Sequence, residues 1–278
     1  MRCILFITLL AGVLSSCESG VEIERIPLNK LIAISSFISP QDSVLCVHVY
    51  RGQEMGSILR PDSAVIREAQ VTISDGIRMT AFTYNASRKC YTLSSQIADI
   101  QPEKEYRLQV KVGNTVCNAS CRIPPNPVVP NVNQSKVNDD FIALFNWPSS
   151  EKNRYYIFNY SLRDIVFRSQ IGNPIGPYIR TPTNTLFDRQ DKEANEMEIR
   201  VINAFKADRV SLAVFYQAVD ENTYKYLKTY QDFSNWQNNT DHLIPNLREP
   251  QPVFDNIEGG IGIFGGYNRL DTLFKIKG

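Results

Sequence analysis

Residues 105–112 read EYRLQVKV. Tyr106, Leu108, Val110 and Val112 alternate with polar residues, a period of two that suits a strand with one buried face and does not suit a helix. Gly113-Asn114 follows as a turn, and residues 115–123 return as a partner strand. Such a hairpin must lay its apolar side on another layer, so it commits the surrounding chain to sheet structure. The neighbouring runs agree. Leu31–Ile34, Val44–Tyr50, Ala69–Ser74 with its Asp75-Gly76 turn, Met79–Tyr84 and Cys90–Leu93 are short and rich in β-branched or aromatic residues. About six or seven such strands, with turn signals every ~8 to 12 residues, make the pattern of an immunoglobulin-like sandwich.

Pro124, Pro125, Pro127 and Pro130 break the pattern. Prolines lack a backbone donor and favour an extended path, which places a Pro-rich linker at 125–130. Beyond it, Phe141–Trp147, the aromatic run Tyr155–Tyr160, Glu196–Asn203 and Ser211–Ala218 read as strands of a second, fibronectin-like sandwich. Residues 168–192 are polar and rich in Pro, Gly, Asn and Thr, a long irregular segment of the kind that carries function or is disordered. One helix is expected at about 220–236. Asp220 caps it, Glu221 sits in its first turn, and Tyr226, Leu227, Tyr230 and Phe233 recur at helical spacing. A last strand at Thr272–Lys277 closes the second domain. The expected fold is all-β, with two β-sandwich domains at 30–124 and 131–278, the second carrying one inserted α-helix.

The N-terminus reads as an address. Met1-Arg2 is basic, Cys3–Leu14 is an apolar run, and Leu14-Ser15-Ser16-Cys17 has the form of a bacterial lipobox. The run is shorter than the ~20 apolar residues that span a bilayer and suits a signal-peptide core. Residues 1–16 are therefore expected to be a lipoprotein signal peptide, Cys17 the lipidated first residue, and 17–29 a tether. The partner this implies is the membrane, reached through the lipid on Cys17, with the periplasmic or outer leaflet open. Outside the inner membrane disulfides are permitted. Cys46, Cys90, Cys117 and Cys121 are the candidates for them. Cys117 and Cys121 lie too far apart along one strand to bond to each other, whereas either can pair across strands with Cys46 or Cys90, or stay a buried thiol.

Charge excludes one class of partner. Lys plus Arg is 30 against 29 Asp plus Glu, a net +1 with no basic stripe, so nucleic acid is not expected. The two histidines, His48 and His242, sit in separate halves without a nucleophile elbow, and neither Asp139-Asp140 nor Asp188 with Asp191 has the spacing of a calcium loop. No catalytic residue, metal or cofactor is assigned. Gly259-Gly260, Gly262 and Gly265-Gly266 lack the Lys-Ser/Thr of a phosphate loop and read as bulges, positive φ or close packing near a sheet edge. Among the aromatics, Tyr178 and Trp236 are the candidates for ligand contact.

The tail, residues 249–267, has the form EP-x-x-V-x-x-NI-x-GG-x-G-x-FGGY. With the lipobox, the β-rich first half and the Tyr-rich strand-then-helix from Ala218 to Tyr230, it resembles the Bacteroidota lipoproteins of domain-of-unknown-function family 4249 over essentially the whole chain. Asn256-Ile257, Gly259-Gly260, Gly262, Phe264 and Gly265 carry the resemblance most specifically. It implies an outer-membrane lipoprotein, often encoded near TonB-dependent receptors, and brings no catalytic residues. The expected function is binding, as an accessory of a TonB-dependent uptake system. The alternatives are a cell-surface structural or adhesion protein and a hydrolase with an interdomain site.

Overall fold

The computed structural model describes residues 31–52, 64–148, 151–166, 178–179, 185–190, 196–206, 209–238 and 252–277. The signal segment 1–16, the tether 17–29 with Cys17, His242 and most of 168–192 lie outside the described residues. The fold is all-β with one long helix. The first half forms β1 (Ile32–Ile38), β2 (Val44–Arg51), β3 (Gln70–Ser74), β4 (Met79–Ala81), β5 (Thr83–Asn85), β6 (Cys90–Ser94), a single helical turn α1 (Ser95–Ala98), β7 (Glu105–Val112) and β8 (Thr115–Arg122). The second forms β9 (Asn131–Val137), β10 (Asp140–Asn146), β11 (Tyr155–Val166), β12 (Tyr178–Ile179), β13 (Thr185–Asp188), β14 (Glu196–Ile202), β15 (Arg209–Val219), the helix α2 (Glu221–Asn238) and β16 (Ile261–Lys277).

The alternation in β7 becomes two faces. Tyr106, Leu108 and Val110 are buried, while Glu105, Arg107, Gln109 and Lys111 point to solvent. β7 pairs antiparallel with β8, and β3 and β4 complete a four-stranded sheet in the order β4-β3-β7-β8. Its inner face packs on β1, β2 and β6 around Ile34, Leu45, Val47, Tyr106 and Leu108. The second core lies between the sheet β12-β14-β10-β9 and the strands β13, β11 and β15. Phe145, Tyr156, Phe158 and Tyr216 are fully buried there. Burying one such ring contributes on the order of 2 kcal/mol, so the aromatic run of β11 serves the core and not an exposed platform.

β16 belongs to both halves. Its first part pairs parallel with β1, from Ala33↔Ile261 to Ile38↔Gly266, and its second part pairs antiparallel with β15, from Val219↔Tyr267 onward. One sheet of eight strands, β13-β11-β15-β16-β1-β2-β6-β5, thereby runs through both sandwiches. The last strand expected at Thr272–Lys277 starts instead at Ile261, and Ile257 and Phe264 sit in the first core. Glycines hide this extension from the sequence pattern, because they replace the apolar residues by which a buried strand is recognised. They also lie in a central strand of the sheet, away from its edges.

The proline segment after β8 is extended and also pinned. Asn268 is fully buried where β16 passes from one half to the other. Its Nδ2 donates to Pro124 O at 3.1 Å and to Asn126 Oδ1 at 3.0 Å, and its Oδ1 accepts from Gln41 Nε2 at 2.6 Å. Farther along, Val128 N donates to Glu151 Oε2 at 2.6 Å.

Candidate functional site

The outward residues of β3, β7 and β8 form two polar rows. The register aligns Thr72 with Gln109 and Asn118, and Ser74 with Arg107 and Ser120. Gln109 Nε2 donates to Asn118 Oδ1 at 3.1 Å, and the Arg107 guanidinium reaches Glu105 at 3.2 Å. Two elements raise a wall beside the β8 edge. One is residues 252–258, tied to β8 by Asn118 N to Glu258 O at 3.0 Å and by Glu258 N to Asn118 O at 2.8 Å. The other is the first turn of α2, where Asn222 Nδ2 donates to Ser120 O at 3.4 Å. Met79 stands on the opposite side. The groove between them has a volume of about 540 Å³. Its floor carries amides, hydroxyls and one guanidinium, groups that hydrogen-bond a polar ligand, and Glu258 adds a carboxylate to the wall.

From the tail, Asn256 and Glu258 line this groove, and the other motif residues hold the tail in place. Asn256 acts like a strand residue through its side chain: Nδ2 donates to Phe264 O at 2.9 Å, and Oδ1 accepts from Phe264 N at 2.9 Å. The same Nδ2 lies 3.1 Å from Ser120 O. Gly262 has φ +121°, and an added Cβ would stand 1.9 Å from Ile34 O. Gly265 leaves the space that Thr223 of α2 fills. The glycines thus permit close backbone approach, as the sequence reading expects.

A second depression of about 410 Å³ adjoins the first, sharing Ser120 and Asn222, and lies where the halves meet. Arg154 borders it and holds Asp188 through two hydrogen bonds, Nε to Oδ1 at 2.8 Å and Nη2 to Oδ2 at 2.7 Å. That pairing lowers the Asp188 carboxyl. Tyr155 of β11 stacks on Tyr224 of α2 with ring centroids 4.4 Å apart. Asp220 caps α2, accepting from Thr223 N at 2.9 Å on Oδ1. Its Oδ2 is buried without a partner. Burial raises the Asp220 carboxyl, with hydrogen bonds from Thr223 opposing the shift. A cap explains this carboxylate without catalysis.

The raised Asp220 predicts a pH signature. A carboxyl whose folded pKa lies above its unfolded value binds its proton more tightly when folded, so its contribution to stability falls as pH rises through the folded value. Asp220→Asn keeps a capping oxygen and removes the charge. The variant is expected to gain stability relative to the parent as pH rises above about 4, the ordinary carboxyl range, read as a difference between urea melts across that range. A pH-independent difference between the two proteins would contradict that role.

His48 stands alone on β2, stacked on Tyr50 with its Nδ1 3.2 Å from the Tyr50 hydroxyl. Asp140 binds Arg200 at 2.8 Å and caps Asn203 N at 3.0 Å, a structural role. Tyr178 pairs through its backbone with Ile202 and Trp236 lies in α2, and the side chains of both are outside the described residues. Among the described residues no group of three His, Cys, Asp or Glu is placed to hold a metal ion. Sequence reasoning singled out none of the groove residues Arg107, Gln109, Asn118 and Asn222. The available signal was the outward face of the β7–β8 hairpin, where amides and hydroxyls outnumber the usual Lys and Glu.

No curated protein matches the chain. Among solved structures it aligns with the Yersinia pseudotuberculosis adhesin InvE at 12% identity and TM-score 0.24, over 68% of this chain and 56% of that one. A two-domain fibronectin type-III segment from chicken tenascin aligns at 11% identity and TM-score 0.21, covering 67% of this chain and 88% of that one. The chicken interferon gamma receptor alpha chain aligns at 10% and TM-score 0.19, covering 68% and 90%. At that similarity these proteins speak to neither site nor activity. The family model called Domain of unknown function (DUF4249) matches residues 19–272. That span takes in both sandwiches, the shared strand and the groove residues Asn256 and Glu258, and the chain belongs to the DUF4249 family.

Proposed function

We propose that the protein is a membrane-anchored binding lipoprotein, held through Cys17 at the outer membrane, and an accessory of a TonB-dependent uptake system. The groove on β3, β7 and β8 carries this reading. It offers convergent donors and acceptors on rigid strands, walled by α2 and by the tail motif, and it suits a ligand rich in hydroxyl or amide groups. The lipobox supports the anchor, and the company that such lipoproteins keep with TonB-dependent receptors supports the partner. A sandwich by itself implies no function, whereas the groove and the anchor are features a ligand and a membrane can use.

Crosslinking of native outer membranes with the tagged protein as bait, read by mass spectrometry, tests the proposal. A TonB-dependent receptor is expected in every replicate, and Arg107→Ala with Asn118→Ala should leave the recovered partner unchanged while weakening capture of its cargo about tenfold. Recovery of the protein alone would overturn the uptake reading and move surface adhesion to the front.

A further inference from the structure

β2 and β6 pair antiparallel, with Cys46 opposite Thr92 and Val47 opposite Tyr91. Leu45, Val47, Tyr91 and Leu93 turn inward to the first core, so Cys46 and Cys90 share the outer face. They are diagonal neighbours across the two strands. Their sulfurs stand 2.7 Å apart. Two unbonded sulfurs do not normally approach so closely, and the gap exceeds a disulfide bond of about 2.05 Å by less than an ångström. Cys46 is half-buried and Cys90 buried.

The other two cysteines are elsewhere. Cys117 and Cys121 lie on β8 and turn into the core from the opposite sheet, Cys117 donating to Gly259 O at 3.2 Å. Neither can meet Cys46 or Cys90, whose side chains leave the far side of the facing sheet. Cross-pairing of Cys117 or Cys121 with those residues, open on the sequence alone, is therefore excluded by the fold.

We propose that Cys46 and Cys90 form an intramolecular disulfide that staples β2 to β6, with Cys117 and Cys121 remaining core thiols. The bond forms by exchange with an external disulfide. The Cys46 thiolate attacks one sulfur of oxidised glutathione, whose S–S bond breaks and releases one glutathione thiolate. Cys90 then gives its proton to solvent and attacks the Cys46 sulfur, expelling the second glutathione. The two cysteines lose two electrons and two protons, and the glutathione disulfide becomes two thiols. Burial, with the neighbouring Cys46 thiol, pushes the Cys90 thiol up to about 12, so the closing step speeds up as pH rises. Cys46 is the more accessible sulfur and takes the first attack.

The test uses the full chain in graded mixtures of oxidised and reduced glutathione, quenched with acid, unfolded, alkylated and mapped by mass spectrometry. The expected result is one linked peptide pair containing Cys46 and Cys90, with Cys117 and Cys121 alkylated. Cys117→Ser with Cys121→Ser should leave that linkage unchanged, and Cys90→Ser should leave Cys46 as a glutathione mixed disulfide. Full alkylation of Cys46 and Cys90 at the most oxidising ratio would overturn the proposal, as would a linked peptide containing Cys117 or Cys121. Because the oxidant is supplied, the outcome is independent of where the protein resides.

Discussion

Gly262→Ala is expected to unfold the first sandwich. The new Cβ would stand 1.9 Å from the Ile34 carbonyl oxygen, and the obstacle is backbone, which no rotamer change removes. The φ of +121° adds strain for any residue with a side chain. Relief requires β16 to leave β1, which breaks the register from Ala33↔Ile261 to Ile38↔Gly266. The cost is about 4 kcal/mol or more, a large share of the ~5–15 kcal/mol that holds an ordinary domain. Gly76→Ala is the matched control. Gly76 also has positive φ, +88°, but open space around it, so it should lose only ~1–2 kcal/mol. Urea denaturation of the three proteins distinguishes the two effects. Equal losses at Gly262 and Gly76 would mean that β1 and β16 do not pair as described.

Cys17→Ser should move the protein from the membrane to the soluble fraction almost completely. A serine hydroxyl cannot form the thioether through which a lipoprotein carries its diacylglyceryl group. A single chain of myristoyl length binds a bilayer only marginally, with K about 10⁴ M⁻¹, whereas two chains hold stably. A diacylglyceryl group supplies both at once, and losing it removes ~0.8 kcal/mol per buried CH₂. Among the described residues no helix is long and apolar enough to cross a membrane. Detergent phase partitioning of parent and variant measures the change. Retention of the variant with the membrane would show that something besides Cys17 anchors the chain.

Local signals in the sequence translated well into structure. The β7–β8 hairpin follows from strict alternation and a two-residue turn, and Asp220 caps α2 as its position suggests. Long-range pairing was not legible. Nothing in the composition of 259–266 announces a central strand, because glycines there serve neighbours distant in sequence: Ile34, Thr223 and Arg122. The apolar stripe of α2 also promised more burial than it receives. Tyr226 packs near Phe37, but Tyr230 is 53% exposed, since the helix meets the sheets mainly through its first turns. The groove is hidden in the sequence for a related reason. Outward polar residues on a strand look alike in sequence whether they face open water or a wall, and the wall comes from residues more than a hundred positions away. The Cys46–Cys90 contact likewise depends on the β2–β6 register, which no spacing rule supplies.

The partnership of β1 with β16 also sets the order in which the molecule can be completed. Ile34 and its neighbour Gly262 are separated by almost the whole of the second sandwich in sequence, so the first sandwich lacks a central strand until that intervening chain is in place. Closing so long a loop is entropically slow, and contacts this far apart in sequence lower folding rates. The first half alone is therefore expected to keep an open flank, and folding of the two sandwiches is coupled through the one strand that fills the place between them.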